Sequence, residues 1–103
     1  MLLMTSEIEN KLEKAGFPSD FDDWMKAKVI VKYFNPTGNG TWLIIGGEWV
    51  KNDWRLFGYV EIGHEWEWGT VMLSELQNYK GLLGLGIERD KFCVGKRVEE
   101  MAY

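Results

Sequence analysis

Two helix-start patterns, together with several runs in which apolar and polar residues alternate, predict an α+β domain. The expectation is a single unit over residues 1–103, built on an antiparallel sheet of four to five strands with two short helices. The composition agrees, because 46% hydrophobic and 27% charged residues is a globular balance and 103 residues suffice for one compact core.

The elements follow in order. Ser6 and Glu9 have capping-box spacing, and Met4, Ile8, Leu12 and Ala15 recur at helical intervals before Gly16, which predicts a helix over residues 7–15. "FPSDFDDW" reads as an aromatic-rich loop. "AKVIVKYF" alternates, with Ala27, Val29, Val31 and Tyr33 on one strand face and Lys28 and Lys32 on the other. After the turn "NPTGNG", the runs "TWLIIGGEWV" and "WRLFGYVEI" predict a hairpin closed over residues 50–53. The favoured register sets Trp49 opposite Trp54, Glu48 opposite Arg55, Gly46 opposite Phe57, Ile44 opposite Tyr59 and Leu43 opposite Val60. One face then carries Leu43, Ile45, Trp49, Trp54, Leu56, Val60 and Ile62, and the other mixes Trp42, Ile44, Phe57 and Tyr59 with Glu48, Arg55 and Glu61.

The stretch "HEWEW" is harder to place. A tight turn at Gly63 and His64 would set Glu65 against Ile62 and Glu67 against Val60, on the apolar side of the sheet, at several kcal/mol each if buried unpaired. Pairing Val60 with Val71 and Gly58 with Leu73 avoids this and leaves residues 64–68 as a projecting tip with exposed tryptophans. Beyond the strand "TVML", "SELQ" starts a second helix over residues 75–79, "IERDKFCV" is a last strand, and "GKRVEEMAY" is a helical turn or a tail.

Sixteen Asp and Glu against twelve Lys and Arg, a net charge of −4, argue against binding the phosphate backbone through a broad basic surface. Cys93 is the only cysteine, so no intramolecular disulfide forms and a reducing cytoplasm fits. There is neither a signal-peptide pattern nor an apolar run of membrane-spanning length, so a cytoplasmic monomer with no membrane association is expected.

His64 with Glu61, Glu65 and Glu67 lacks the second histidine of common zinc sets, and no metal or other cofactor is expected. Glu65 and Glu67 among tryptophans resemble a glycosidase carboxylate pair, but a chain this short leaves little room for a deep cleft. A small carbohydrate-active or metal-dependent enzyme is therefore the third reading, and no catalytic residue is assigned. Lys26, Lys28 and Lys32, with Tyr33 or Phe34 for stacking, give the alternative of a nucleic-acid-binding module. Core packing accounts for Trp49, Trp54 and Trp24 more readily than for Trp42, Trp66 and Trp68. Exposed aromatics rimmed by charge favour a protein-binding surface comprising Glu65, Trp66, Glu67, Trp68, Trp42 and Tyr59. From Glu48 to Glu75 there are six acidic residues against Lys51 and Arg55, so the expected partner is basic.

"NPTGNGTWLI", "RLFGYVEIG" and "VMLSELQNYKGLLGLGIERDKF" resemble, in order and spacing, a small bacterial domain-of-unknown-function family found on plasmids and prophages. The resemblance covers residues 35–92, with Met72 and Gly86 departing from the usual pattern and "HEWEW" falling where such proteins vary. The chain is also similar to short anti-CRISPR proteins of mobile elements that inhibit type II-A Cas9. That resemblance implies non-catalytic binding to Cas9, or to Cas9 with its guide RNA, in the bacterial host. Cas9 holds nucleic acid in positively charged channels, a kind of surface that an acidic, aromatic patch can engage.

Overall fold

A computed structural model describes residues 2–90 and 95–102. The strands β1 (Val31–Phe34), β2 (Thr41–Val50), β3 (Asp53–Ile62), β4 (Glu65–Met72) and β5 (Glu88–Asp90) form one antiparallel sheet of five strands in the order β4-β3-β2-β1-β5. Helices α1 (Ser6–Ala15), α2 (Leu73–Asn78) and α3 (Val98–Met101), with a 3₁₀ turn at Trp24–Lys26, cover parts of its two faces. This is the α+β architecture that the alternating runs and capping patterns predict.

One face is covered by α1 and α2. Ile8 and Leu12 of α1 and Leu73 and Leu76 of α2 meet Ile44, Trp54 and Leu56 of the sheet in one core, and burying such side chains stabilises by about 1.5–3 kcal/mol each. Tyr33 is fully buried there, and its hydroxyl donates to the Leu3 carbonyl, pinning the N-terminal segment to β1. Burial raises the Tyr33 phenol well above its ordinary range, with the nearby Arg89 charge pulling the other way. The opposite face carries Val29, Leu43, Ile45 and Phe57 under Trp24, Met25 and Val98. Because Val29 packs on this face and Val31 on the other, the strict alternation expected through "AKVIVKYF" breaks at Ile30, and β1 begins only at Val31.

Local chemistry moves the helix starts. Thr5, not Ser6, caps α1, its side chain accepting the Ile8 N–H at 3.2 Å, and Gly16 at φ 67 ends the helix. The Gly16 carbonyl accepts the Gly47 N–H at 3.1 Å, satisfying a part of β2 that β1 is too short to reach. The second helix runs over Leu73–Asn78 rather than 75–79. Its Glu75 carboxylate reaches back to the Met72 N–H at 3.1 Å, while Ser74, the expected cap, is engaged by Asp53.

Asp53 therefore ties the β2–β3 hairpin to the start of α2. The Ser74 hydroxyl chiefly, helped by the N–H groups of Trp54 and Ser74 and opposed by desolvation, holds its carboxyl below the usual carboxylate range. A group whose folded pKa is lowered contributes stability above its unfolded pKa, and that contribution is lost as pH falls through the folded value. Asp53→Asn is expected to lower stability at neutral pH and to flatten the loss of stability on acidification. Urea unfolding across a neutral-to-acid series checks this, and an unchanged acid slope would count against the assignment.

The β2–β3 hairpin keeps the expected pairs Trp49–Trp54, Glu48–Arg55 and Gly46–Phe57, closed by Lys51 and Asn52 at φ 51 and 60, as a type I′ turn requires. Beyond Gly46 the expected register is wrong by one residue. A β-bulge between Ile44 and Gly46 pairs Ile44 with Gly58, Leu43 with Tyr59 and Trp42 with Val60. Its physical reason is Gly58: a Cβ there would lie 2.0 Å from the Leu43 carbonyl oxygen, so only glycine lets the bulged strand approach so closely. The bulge exchanges the sides of the residues before it. Leu43 and Ile45 thus join Phe57 and Tyr59, whereas Trp42 and Ile44 join Trp54 and Leu56.

The "HEWEW" expectation is also overturned. Gly63 and His64, at φ 67 and 71, form a second type I′ turn, and Glu65 to Trp68 are the first half of β4. Glu65 pairs with Ile62, Glu67 with Val60 and Gly69 with Gly58, in place of the expected Val60–Val71 and Gly58–Leu73 pairs. The burial penalty that disfavoured this register does not arise, because Glu65 and Glu67 are exposed at an end of the sheet that the helices leave open. Trp49, expected in the core, is 59% exposed and packs edge-on to the buried Trp54. Of the expected last strand, β5 supplies Glu88–Asp90, and Lys91, Phe92 and Cys93 lie outside the described residues.

Candidate functional site

Alternation along β4 gives it two chemically different sides. Glu65 and Glu67 share a side with Ile62, Val60 and Trp42, and Trp66 and Trp68 share the other with Tyr59 and Leu43. The six residues proposed from the sequence are thus gathered around β4 and its neighbours, but on opposite faces.

On the face covered by α1 and α2, cover ends before the Ile62–Glu65 turn, where Ile62 is 61% exposed. A groove of about 710 Å³ opens there, with Trp42, Val60 and Val71 as its floor and Leu76 and Tyr79 along one wall. Asn35, after β1, donates to the Tyr79 hydroxyl at 3.1 Å and ties that wall to the β1–β2 turn. Glu65, Glu67 and Glu75 line the groove, and among the described residues no Lys or Arg does. A groove with an apolar floor and carboxylates at its margin suits a side chain with an apolar stem and a cationic head. Gly69 also lines it, and a Cβ there would meet nothing within 4 Å.

The other face of β4 is an aromatic stack. Trp66 lies on Tyr59 at 5.0 Å, and Trp68 lies on Tyr59 at 4.5 Å and parallel to Phe57 at 5.8 Å. Trp24 closes against Trp68 at 5.2 Å and Phe57 at 4.8 Å, held by its indole N–H donating to the Ser19 carbonyl at 2.8 Å. Trp66 and Trp68 are therefore half-buried packing residues, which corrects the reading of them as free-standing anchors on a loop. The Trp66 indole N–H is buried with no acceptor among the described residues.

The lysine set does not form one strand face. Lys26 sits in the 3₁₀ turn, Lys28 in an isolated bridge to Arg97, and Lys32 in β1, where its ammonium lies 3.8 Å from Asp90. His64 is exposed in its turn, and among the described residues no three His, Cys, Asp or Glu side chains converge as a metal site would need. Sequence reasoning missed Glu75, Tyr79, Asn35 and Gly69. Gly69 follows on β4 itself, whereas Glu75 and Tyr79 come from α2 and its C-terminal end and Asn35 from just after β1, and only the fold brings these three to Glu65 and Glu67.

The fold and site define a small antiparallel-sheet domain that presents an acid-margined groove and an aromatic stack from one strand. Residues 3–99 match the model of the family described as protein of unknown function, DUF2958, and the chain belongs to that family. No curated protein and no solved structure gives a significant match. No helix among the described residues is long and apolar enough to cross a membrane.

Proposed function

We propose that the protein is a non-catalytic inhibitor of type II-A Cas9, binding Cas9 or its guide-RNA complex through the groove beside β4. The observation that supports this most is the lining of the groove, where Glu65, Glu67 and Glu75 surround an apolar floor with no basic residue among the described ones. Such a surface complements the arginine-rich, positively charged channels of Cas9. Two carboxylates side by side on one strand, rather than facing each other across a cleft, favour binding over glycoside hydrolysis. The scatter of Lys26, Lys28 and Lys32 over three elements favours the groove over a nucleic-acid stripe.

Glu65→Lys with Glu67→Lys is expected to weaken inhibition at least tenfold, more at low salt than at high, with an unchanged circular-dichroism spectrum. Gly69→Leu tests the groove without changing charge. The new side chain enters open space, so the fold is expected to survive while inhibition falls by roughly tenfold or more. Inhibition that withstands both variants but falls when Lys26, Lys28 and Lys32 are neutralised would move the interface to the lysines.

A further inference from the structure

Among the described residues β4 is the edge of the sheet, paired only with β3, and it is eight residues long. The opposite edge, β5, comprises three charged residues among those described (Glu88, Arg89, Asp90), and charge is a common way of blunting an edge against further pairing. β4 has no proline, no lysine and no bulge in its register with β3. The two-residue turn at Gly63 and His64 makes Ile62 and Glu65 a hydrogen-bonded pair, so by antiparallel alternation Trp66, Trp68 and Thr70 direct their N–H and C=O groups away from β3. None of these six groups has a backbone or side-chain partner among the described residues.

We infer that β4 is a strand acceptor: it takes an extended segment of a partner protein, added antiparallel as a sixth strand, in which basic and apolar residues alternate. The alternation follows from the two sides of β4. Residues of the incoming strand opposite Glu65 and Glu67 lie at the acid-margined groove and are matched by Lys or Arg, and those opposite Trp66 and Trp68 continue the aromatic face and are matched by apolar side chains. A second copy of the chain is the poorer occupant. Antiparallel self-pairing of β4 would gather four carboxylates, Glu65 and Glu67 from each copy, on one face. The inference deepens the proposed function by naming the partner's local conformation, and it can be tested without Cas9.

The test is calorimetric titration of the full chain with a synthetic peptide in which Lys and Val alternate. In the antiparallel arrangement the Val residues lie opposite Trp66 and Trp68, so their N–H groups face β4 and those of the Lys residues face solvent. N-methylation of the Val nitrogens is expected to weaken binding at least tenfold, with little effect from methylating the Lys nitrogens. Thr70→Pro removes an outward donor while leaving the β3 ladder intact, and is expected to weaken the parent peptide several-fold. Equal binding of both methylated peptides, equal binding of a Glu–Val peptide, or no binding of the parent would overturn the inference. So would a dimer in light scattering that Thr70→Pro dissolves, since the edge would then serve a second copy. Peptide binding that shows the methylation pattern while Cas9 is uninhibited upholds the strand acceptor and removes the inhibitor reading. Inhibition without peptide binding does the reverse.

Discussion

Gly58→Ala is expected to destabilise the fold severely. The added Cβ would stand 2.0 Å from the Leu43 carbonyl oxygen, 2.8 Å from its carbon and 2.9 Å from the Ile44 Cα, all backbone atoms of the paired strand. No rotamer change relieves such a contact, so either the β2–β3 pairing opens or the bulge at Ile45 is lost and Leu43 and Ile45 are driven to the wrong face. The cost is about 3 kcal/mol or more, a large share of the ~5–15 kcal/mol that holds a small domain folded. Gly69→Ala is the matched control, since Gly69 is paired with Gly58 but faces open space. Replacing this strand glycine is expected to be neutral or to stabilise by a few tenths of a kcal/mol. Thermal unfolding followed by circular dichroism compares the two, and similar midpoints would contradict the close approach of β2 and β3.

Trp66→Ala with Trp68→Ala is expected to be a stability variant before it is a binding variant. The pair forms the outer half of a stack that includes Tyr59, Phe57 and Trp24, and Trp68 alone touches three of those rings within 5.8 Å. Half-buried tryptophans lose less on truncation than fully buried ones, so about 2 kcal/mol each is a fair scale, including the ring–ring terms. For a domain of this size the unfolding midpoint should fall by roughly 15–30 °C. A fall of only a few degrees would mean that the stack contributes little and would restore the tryptophans as free anchors. Loss of inhibition in this variant is interpretable only beside its melting curve.

Much of the sheet was legible because its signals are local. Trp49 and Trp54 flank a short polar turn, the alternation in β2 and β3 is clear, and only one register joins Glu48 to Arg55. The bulge was not legible. It depends on Gly58 meeting the backbone of Leu43, a contact between residues far apart in the chain that no window of the sequence reports. The misplacement of "HEWEW" had another origin. The desolvation argument against Glu65 and Glu67 was sound for a sheet covered along its whole length, but α2 is short and α1 packs elsewhere, leaving that end in water. Glu65, Glu67 and Trp42, singled out from the sequence for a partner-binding surface, line the groove. Glu75 and Tyr79 were not singled out, because their place at the groove depends on where α2 lands, and Gly69 was not, because it depends on the register of β4.

The direct measurement is titration of the purified protein into a type II-A Cas9 cleavage reaction at fixed guide-RNA and target concentrations. A non-catalytic inhibitor is expected to abolish cleavage as it reaches equivalence with Cas9, leaving Cas9 and guide RNA chemically intact, with Glu65→Lys plus Glu67→Lys shifting the curve at least tenfold. Full cleavage at large molar excess, or loss of cleavage at a small fraction of one equivalent with guide or Cas9 degraded, would contradict it.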